Sequence, residues 1–234
     1  MSRPIIVAID GPAGAGKSSV SKAAATRLGF TLVDTGAIYR CVALAARRDS
    51  VAFDDDEALG SLLPTLEIGF RMQDGLNRVL LGAEDVSEAI RTPENSQAAS
   101  AVSARPVVRA GLLDLQRRLA LSAPAGAILE GRDIGTVVFP DADVKLFVTA
   151  SPEERAKRRH LELKAKGIDL PFEQVLEEQK QRDLADSTRE VAPLKPAPDS
   201  MLLDTTDFTL DEVVARVVAE VEKARARARD LAPR

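Results

Sequence analysis

The chain has 234 residues, 45% hydrophobic and 29% charged, with a net charge of −4; this fits one large or two small globular domains and argues against a broad nucleic-acid-binding surface. One cysteine, Cys41, and one histidine, His160, exclude an internal disulfide and a Cys/His zinc site. No apolar run approaches the roughly 20 residues that cross a bilayer, and no signal peptide is recognisable, so a cytoplasmic protein is expected, with no membrane and no nucleic acid polymer as partner.

Pro4 to Asp10 is a short apolar, β-rich run that suits a buried parallel strand. It delivers Gly11-Pro12-Ala13-Gly14-Ala15-Gly16-Lys17-Ser18, which fits the phosphate-binding pattern G-x-x-x-x-G-K-[ST]. From Ser19 to Leu28 the spacing predicts a helix, stopped by Gly29. In that context the glycines let backbone N–H groups surround a polyphosphate, and the helix N-terminus adds positive potential. Lys17 is expected at the β- and γ-phosphates, and the Ser18 hydroxyl on Mg²⁺.

Phe30 to Val33 reads as a second strand, and Asp34 and Thr35 suit the cap of a helix running to about Arg48. Arg40 lies early in that helix, away from its apolar stripe. It is as well placed to clamp a phosphate as to be a solvated surface arginine. The cluster Asp54-Asp55-Asp56-Glu57 opens a short helix and reads as structural. Leu66 to Met72 and Asn77 to Leu81 alternate apolar and polar around the turn signal Gln73-Asp74-Gly75-Leu76, an antiparallel hairpin. A hairpin does not belong in a parallel sheet, so it is expected to be an insertion.

Thr92 and Pro93 start a helix to about Ala104, and a longer one follows Pro106, with Arg109 near its start. Ala127 to Leu129 is a brief strand that delivers Glu130-Gly131-Arg132-Asp133-Ile134-Gly135-Thr136. Charges and glycines at a strand's C-terminal end are what a ligand site in an open α/β sheet requires, and Arg132 is a phosphate candidate, the alternative being a charged surface loop. Val144 to Val148 is the next strand. Ser151-Pro152-Glu153-Glu154 starts a helix carrying Arg155, Lys157, Arg158 and Arg159. Those cations are either a solvated face or a basic lid over phosphates. His160 reads as an ordinary surface residue.

A further helix follows Pro171. Arg182, Asp186 and Arg189 are spaced to share one of its faces, which could hold a sugar and a phosphate or be an ion-pair ladder. Met201 to Asp204 is a last core strand. Asp211 to Ala228 is a closing amphipathic helix whose Arg225, Arg227 and Arg229 read as a frayed, soluble end. Alternating strands and helices predict an α/β P-loop kinase fold, with a central parallel sheet of about five strands, an antiparallel hairpin insertion and a helical lid. One kinase domain over 1–234 is expected, its insertion about 36–105 and its lid about 151–168. No Asn-Lys-x-Asp is present, which disfavours a regulatory GTPase.

Four stretches carry a resemblance: Ile9 to Lys17, Asp34-Thr35-Gly36-Ala37-Ile38-Tyr39-Arg40, Gly131 to Pro140, and Arg189-Glu190-Val191-Ala192-Pro193-Leu194. Over nearly its whole length the chain resembles the bacterial cytidylate kinase family, the CMP/dCMP kinases of the nucleoside monophosphate kinase group. The resemblance implies ATP on Gly11 to Ser19 (Ser18 and Ser19 included), CMP as acceptor, Mg²⁺ as cofactor and a role in pyrimidine nucleotide metabolism. It implies the CMP phosphate at Thr35, Arg40, Arg132 and Arg189, the ribose at Arg182 and Asp186, cytosine at Ser100, Arg109 and Asp133, and a lid contact to ATP from Arg158 and Arg155. Catalysis would then rest on Lys17, Arg132, Arg158 and Arg189, and the protein is expected to be a monomer. Glu130 departs from the family, where Asp is usual, and some relatives carry Gly at Ser18. Kinases of other small acceptors (UMP, AMP, shikimate) and a nucleotide-dependent switch are the competing classes.

Overall fold

The computed structural model describes residues 3–73, 76–165 and 167–230. Its elements in order are β1 (Ile5–Asp10), α1 (Lys17–Leu28), β2 (Thr31–Asp34), α2 (Thr35–Arg48), α3 (Asp56–Leu62), β3 (Ile68–Gln73), β4 (Leu76–Leu81), β5 (Glu84–Asp85), α4 (Pro93–Ser103), α5 (Pro106–Leu121), β6 (Gly126–Gly131), β7 (Val144–Thr149), α6 (Pro152–Ala165), α7 (Phe172–Thr188), β8 (Met201–Asp204) and α8 (Leu210–Asp230). One turn of π-helix, Ile134–Val138, follows β6. The chain divides into two compact units, one of residues 1–32 with 120–234, the other Val33–Leu119.

The first unit is built on a five-stranded sheet of order β2-β6-β1-β7-β8, in which β1 pairs in parallel with β6 and β7, and β7 with β8. A parallel sheet is buried on both faces, hence the near-continuous apolar runs of β1, β6 and β7. On one face Val7, Ile9, Ile128, Leu146, Val148 and Leu203 pack with Val20 and Ala24 of α1 and Val213, Val217 and Val221 of α8. This core fixes the strand ends from which the site loops leave.

The end of α8 differs from the sequence expectation. Arg225 is not frayed: its guanidinium lies 4.8 Å over the Phe30 ring and pairs with Glu222 at 2.7 Å, because the ring face attracts the cation while the stem covers apolar surface. The side chain of Arg229 lies outside the described residues.

The second unit opens at Val33, at the end of β2, and continues into α2, which Asp34 caps by accepting from the Ala37 N–H at 2.9 Å. Thr92 caps α4 in the same way, and the two helices pack together. Asn95, fully buried, donates from α4 to the Arg40 carbonyl of α2 at 3.1 Å. The insertion is an antiparallel sheet of order β3-β4-β5, with Ile68 opposite Leu81 and Gln73 opposite Leu76. The turn residues Asp74 and Gly75 lie outside the described residues. Cys41, buried on α2, has its thiol pushed up to about 12, chiefly by burial.

Candidate active site

The phosphate loop leaves the C-terminal end of β1 through Gly11, whose φ is +147° and where a Cβ would come within 1.9 Å of the Val148 carbonyl oxygen. Only glycine lets the chain turn this close to β7. Gly16, at φ 87°, then starts α1 directly, so the helix begins at Lys17 rather than Ser19. Lys17 is consequently buried, with 7% exposure, and donates to the Pro12 carbonyl at 2.7 Å. Burial, with Arg132 adding repulsion, pulls its ammonium pKa well below the ordinary range. A cation held this way favours the arrival of an anion, which would relieve both penalties.

Glu130 lies inside β6, buried, where the sequence placed it beyond the strand's end. The Ser18 hydroxyl donates to its Oε2 at 2.8 Å. Two hard oxygens thus converge at the mouth of the loop, a donor set that suits Mg²⁺, which takes one or two protein oxygens and keeps the rest for phosphate and water. Among the described residues no group of three His, Cys, Asp or Glu side chains gathers into an all-protein metal site.

The basic helix α6 bears on the same loop. Arg155 is buried and donates to the Ala150 carbonyl at 3.0 Å, to the Ala13 carbonyl at 3.1 Å and to Asp183 of α7 at 2.6 Å. It acts as a strut beneath the phosphate loop. Gly14 has no room for a side chain there, since a Cβ would lie 2.7 Å from Gln179 Nε2 and 3.0 Å from the Arg155 carbonyl oxygen. Arg158 donates to the hydroxyl and carbonyl of Thr205 at 3.1 and 2.9 Å, and its Nη1 would stand 3.5 Å from a Cβ on Gly16. Thr205, just past β8, also donates to the Ala15 carbonyl at 3.3 Å. His160 is half-buried, edge-on to Phe172.

A second cluster sits on α7 and the loop after β6. Asp186 accepts from Arg132 Nε at 2.8 Å and lies 3.7 Å from Arg189. Burial works against its charge, but Arg132, Arg182 and Arg189 outweigh it and hold the carboxyl below its ordinary 3.8. Arg189 is not on the face shared by Arg182 and Asp186: α7 stops at Thr188, Arg189 turns extended, and its Nε donates to the Ala192 carbonyl at 2.6 Å. Asp133 is buried, and its carbonyl accepts from the Val137 and Val138 amides at 2.9 and 3.2 Å. In the second unit, Thr35 is the first residue of α2 and Arg40 lies a turn later, its Nη1 3.7 Å from where a Gly36 Cβ would stand. Ser100 is on α4, and Arg109 of α5 donates to the Ser103 carbonyl at 2.9 Å with its guanidinium 5.4 Å from the Tyr39 ring centroid.

Sequence reasoning missed Glu130's burial, Thr205 and Asp10. Only Asp10 had a local signal, a carboxylate closing an otherwise apolar strand. The Asp186 cluster makes a stability prediction. Asp186→Ala removes the carboxylate that Arg132 and Arg189 share in a largely buried place, which should cost about 3 kcal/mol in urea unfolding at neutral pH. Because the folded carboxyl's pKa is lowered, its contribution is present above 3.8 and lost as pH falls through the lower folded value. The gap between the two proteins should therefore close in acid.

A P-loop at the C-terminal edge of a parallel α/β sheet, with Lys17 buried in it and Arg155 and Arg158 beside it, places the chain among the P-loop nucleotide-binding proteins. A family model described as Cytidylate kinase matches residues 7–223. The cytidylate kinase of Syntrophotalea carbinolica is 52% identical over 221 residues, covering 94% of this chain and 93% of that protein. That of Geobacter sulfurreducens is 52% identical over 225 residues, covering 95% and 96%. A crystal structure of an uncharacterized protein from Eubacterium ventriosum aligns with a TM-score of 0.50 at 13% identity over 94% of this chain and 99% of its own, a likeness of fold alone. The chain belongs to the cytidylate kinase family.

Proposed function

We propose that the protein transfers the γ-phosphoryl group of ATP to the phosphate of CMP, and of dCMP, giving ADP and CDP or dCDP. The observation that carries this is full-length similarity to cytidylate kinases at 52% identity. The phosphate-loop geometry supports ATP as donor: Lys17 is buried beside the turn, and the loop is braced from below by Arg155. The acceptor is a phosphate oxygen, already ionised at neutral pH, so no general base is needed. Catalysis is in-line positioning and charge neutralisation.

Lys17 and Arg158 are assigned to the donor phosphates, and Gly11 to Ser19 to the donor cradle. Arg155 serves by holding that cradle, since its guanidinium already engages Ala13, Ala150 and Asp183. Thr35, Arg40, Arg132 and Arg189 are assigned to the acceptor phosphate, Arg182 and Asp186 to the sugar, and Ser100, Arg109 and Asp133 to the base. Asp186 does this while orienting Arg132, which it already grips. Ser18 and Glu130 would hold Mg²⁺, which when bound screens the charge of the transferring phosphates.

No helix among the described residues is long and apolar enough to cross a membrane; a cytoplasmic monomer is proposed, checked by fractionation and light scattering. The activity is tested by ADP release with ATP and a panel of CMP, dCMP, UMP, AMP and shikimate. Turnover is expected with CMP and dCMP. Acceptor-independent hydrolysis alone would instead make the protein a nucleotide switch.

A further inference from the structure

We infer that Asp10 is a positioning residue for the acceptor end of the reaction: its carboxylate holds the Ile134–Gly135 backbone from β1 and thereby sets Arg132 and Asp133, and it does so only when ionised. The inference rests on the reading above that those two residues serve the acceptor.

Asp10 is the last residue of β1 and immediately precedes the phosphate loop. Its side chain is buried, with 4% exposure. Its Oδ1 accepts from the Ile134 amide at 2.8 Å and its Oδ2 from the Gly135 amide at 2.7 Å. These amides open the π-helical turn Ile134–Val138 and so have no partner within it. The preceding residue, Asp133, occupies the cap position, yet its side chain makes no capping bond. The cap comes instead from a strand more than a hundred residues earlier in the chain. Capping is therefore not the task of the Asp133 carboxylate, and the two residues whose placement depends on the turn are the proposed base and phosphate contacts. Gly135 completes the fit, since a Cβ there would lie 3.4 Å from Asp10 Oδ2 and 3.3 Å from Lys145 Cδ.

A carboxylate accepts both amides at once. A carboxylic acid turns one oxygen into a donor, and its O–H then faces an N–H. The charges that act on Asp10 are Asp133 on the turn and Lys17 on α1; the stem of Lys145 of β7 also borders Gly135, its ammonium held by Asp199. Burial dominates, opposed by the two amide bonds, and raises the Asp10 carboxyl to about 6. The group thus changes state near neutrality. The sign for stability is opposite to that for positioning: with the folded pKa raised, this group's contribution to stability is greatest in acid and is lost as pH rises through about 6. Activity and stability therefore separate, which a residue that merely supports the fold would not do.

The experiment compares kcat/KM for CMP in the wild type and Asp10→Asn between about pH 5 and pH 8. Their ratio cancels the titration of the acceptor's own phosphate, whose second ionisation also lies near 6. The ratio is expected to be about 10²-fold at the alkaline end, as for a misplaced contact, and to fall towards unity in acid. A ratio that stays constant with pH, or near unity throughout, overturns the inference. Absence of CMP turnover in the wild type would instead overturn the proposed function. If Asp10→Asn does not fold, the amide ¹⁵N shifts of Ile134 and Gly135 in the wild type decide: both should titrate together with a midpoint near 6, and flat shifts would overturn it.

Discussion

Replacing Lys17 with alanine is expected to lower kcat/KM for phosphoryl transfer by roughly 10³-fold or more, the effect of losing a preorganised charge aimed at the developing one. The buried position changes what else should happen. Lys17 is not an exposed loop residue: it begins α1 and donates to Pro12. Its removal deletes one hydrogen bond but also a cation whose charged form burial disfavours. The two effects oppose each other, so thermal stability should shift little while activity collapses. Native circular dichroism with normal turnover would remove Lys17 from the donor site. Lys17→Arg should not rescue, since a planar fork cannot occupy the ammonium's seat against the Pro12 carbonyl.

The second large effect concerns the base. Cytosine offers an N4 amino donor beside the N3 and O2 acceptors, whereas uracil presents O4 and N3–H. The proposed assignment of Asp133 as acceptor and Arg109 as donor matches the first pattern and would leave polar groups unpaired with the second. Discrimination of CMP over UMP by about 10⁴ is expected from such a site. Asp133→Asn should narrow the ratio of kcat/KM values, because the amide can donate to O4. An unchanged ratio would mean that Asp133 does not read the base. The same substitution removes a negative charge that raises the carboxyl of Asp10, so the acid limb of the profile should move to lower pH.

Much of the scaffold is legible in the sequence because its signals are local. The phosphate loop lies between an apolar strand and a helix. The caps Asp34 and Thr92 precede apolar stripes at helical spacing, and the hairpin alternates residue by residue. What the sequence does not disclose is which distant partner a charged side chain finds. Arg155 and Lys157 look alike in a basic run, but Arg155 turns inward to Ala13 and Asp183 while Lys157 stays exposed beside Glu154. Arg189 has the spacing to share a helical face with Asp186, yet α7 ends one residue earlier. Glu130 looks like a loop acid, and it becomes a strand residue because the pairing of β6 with β1 extends to Gly131. Each outcome is set by tertiary contacts that no window of neighbouring residues contains.

Cys41 gives the second unit an internal chemical reporter. Nucleophilic attack requires thiolate, and a fully buried thiol held at about 12 has almost none of it at neutral pH. An alkylating reagent added to the native protein must therefore wait for α2 to open. Because this is the chain's one cysteine, the labelling rate reports only those openings that expose α2, which lies in the Val33–Leu119 unit. Protection of that thiol by an added nucleotide would measure, in free energy, how much the ligand quiets this part of the molecule, without any probe being introduced.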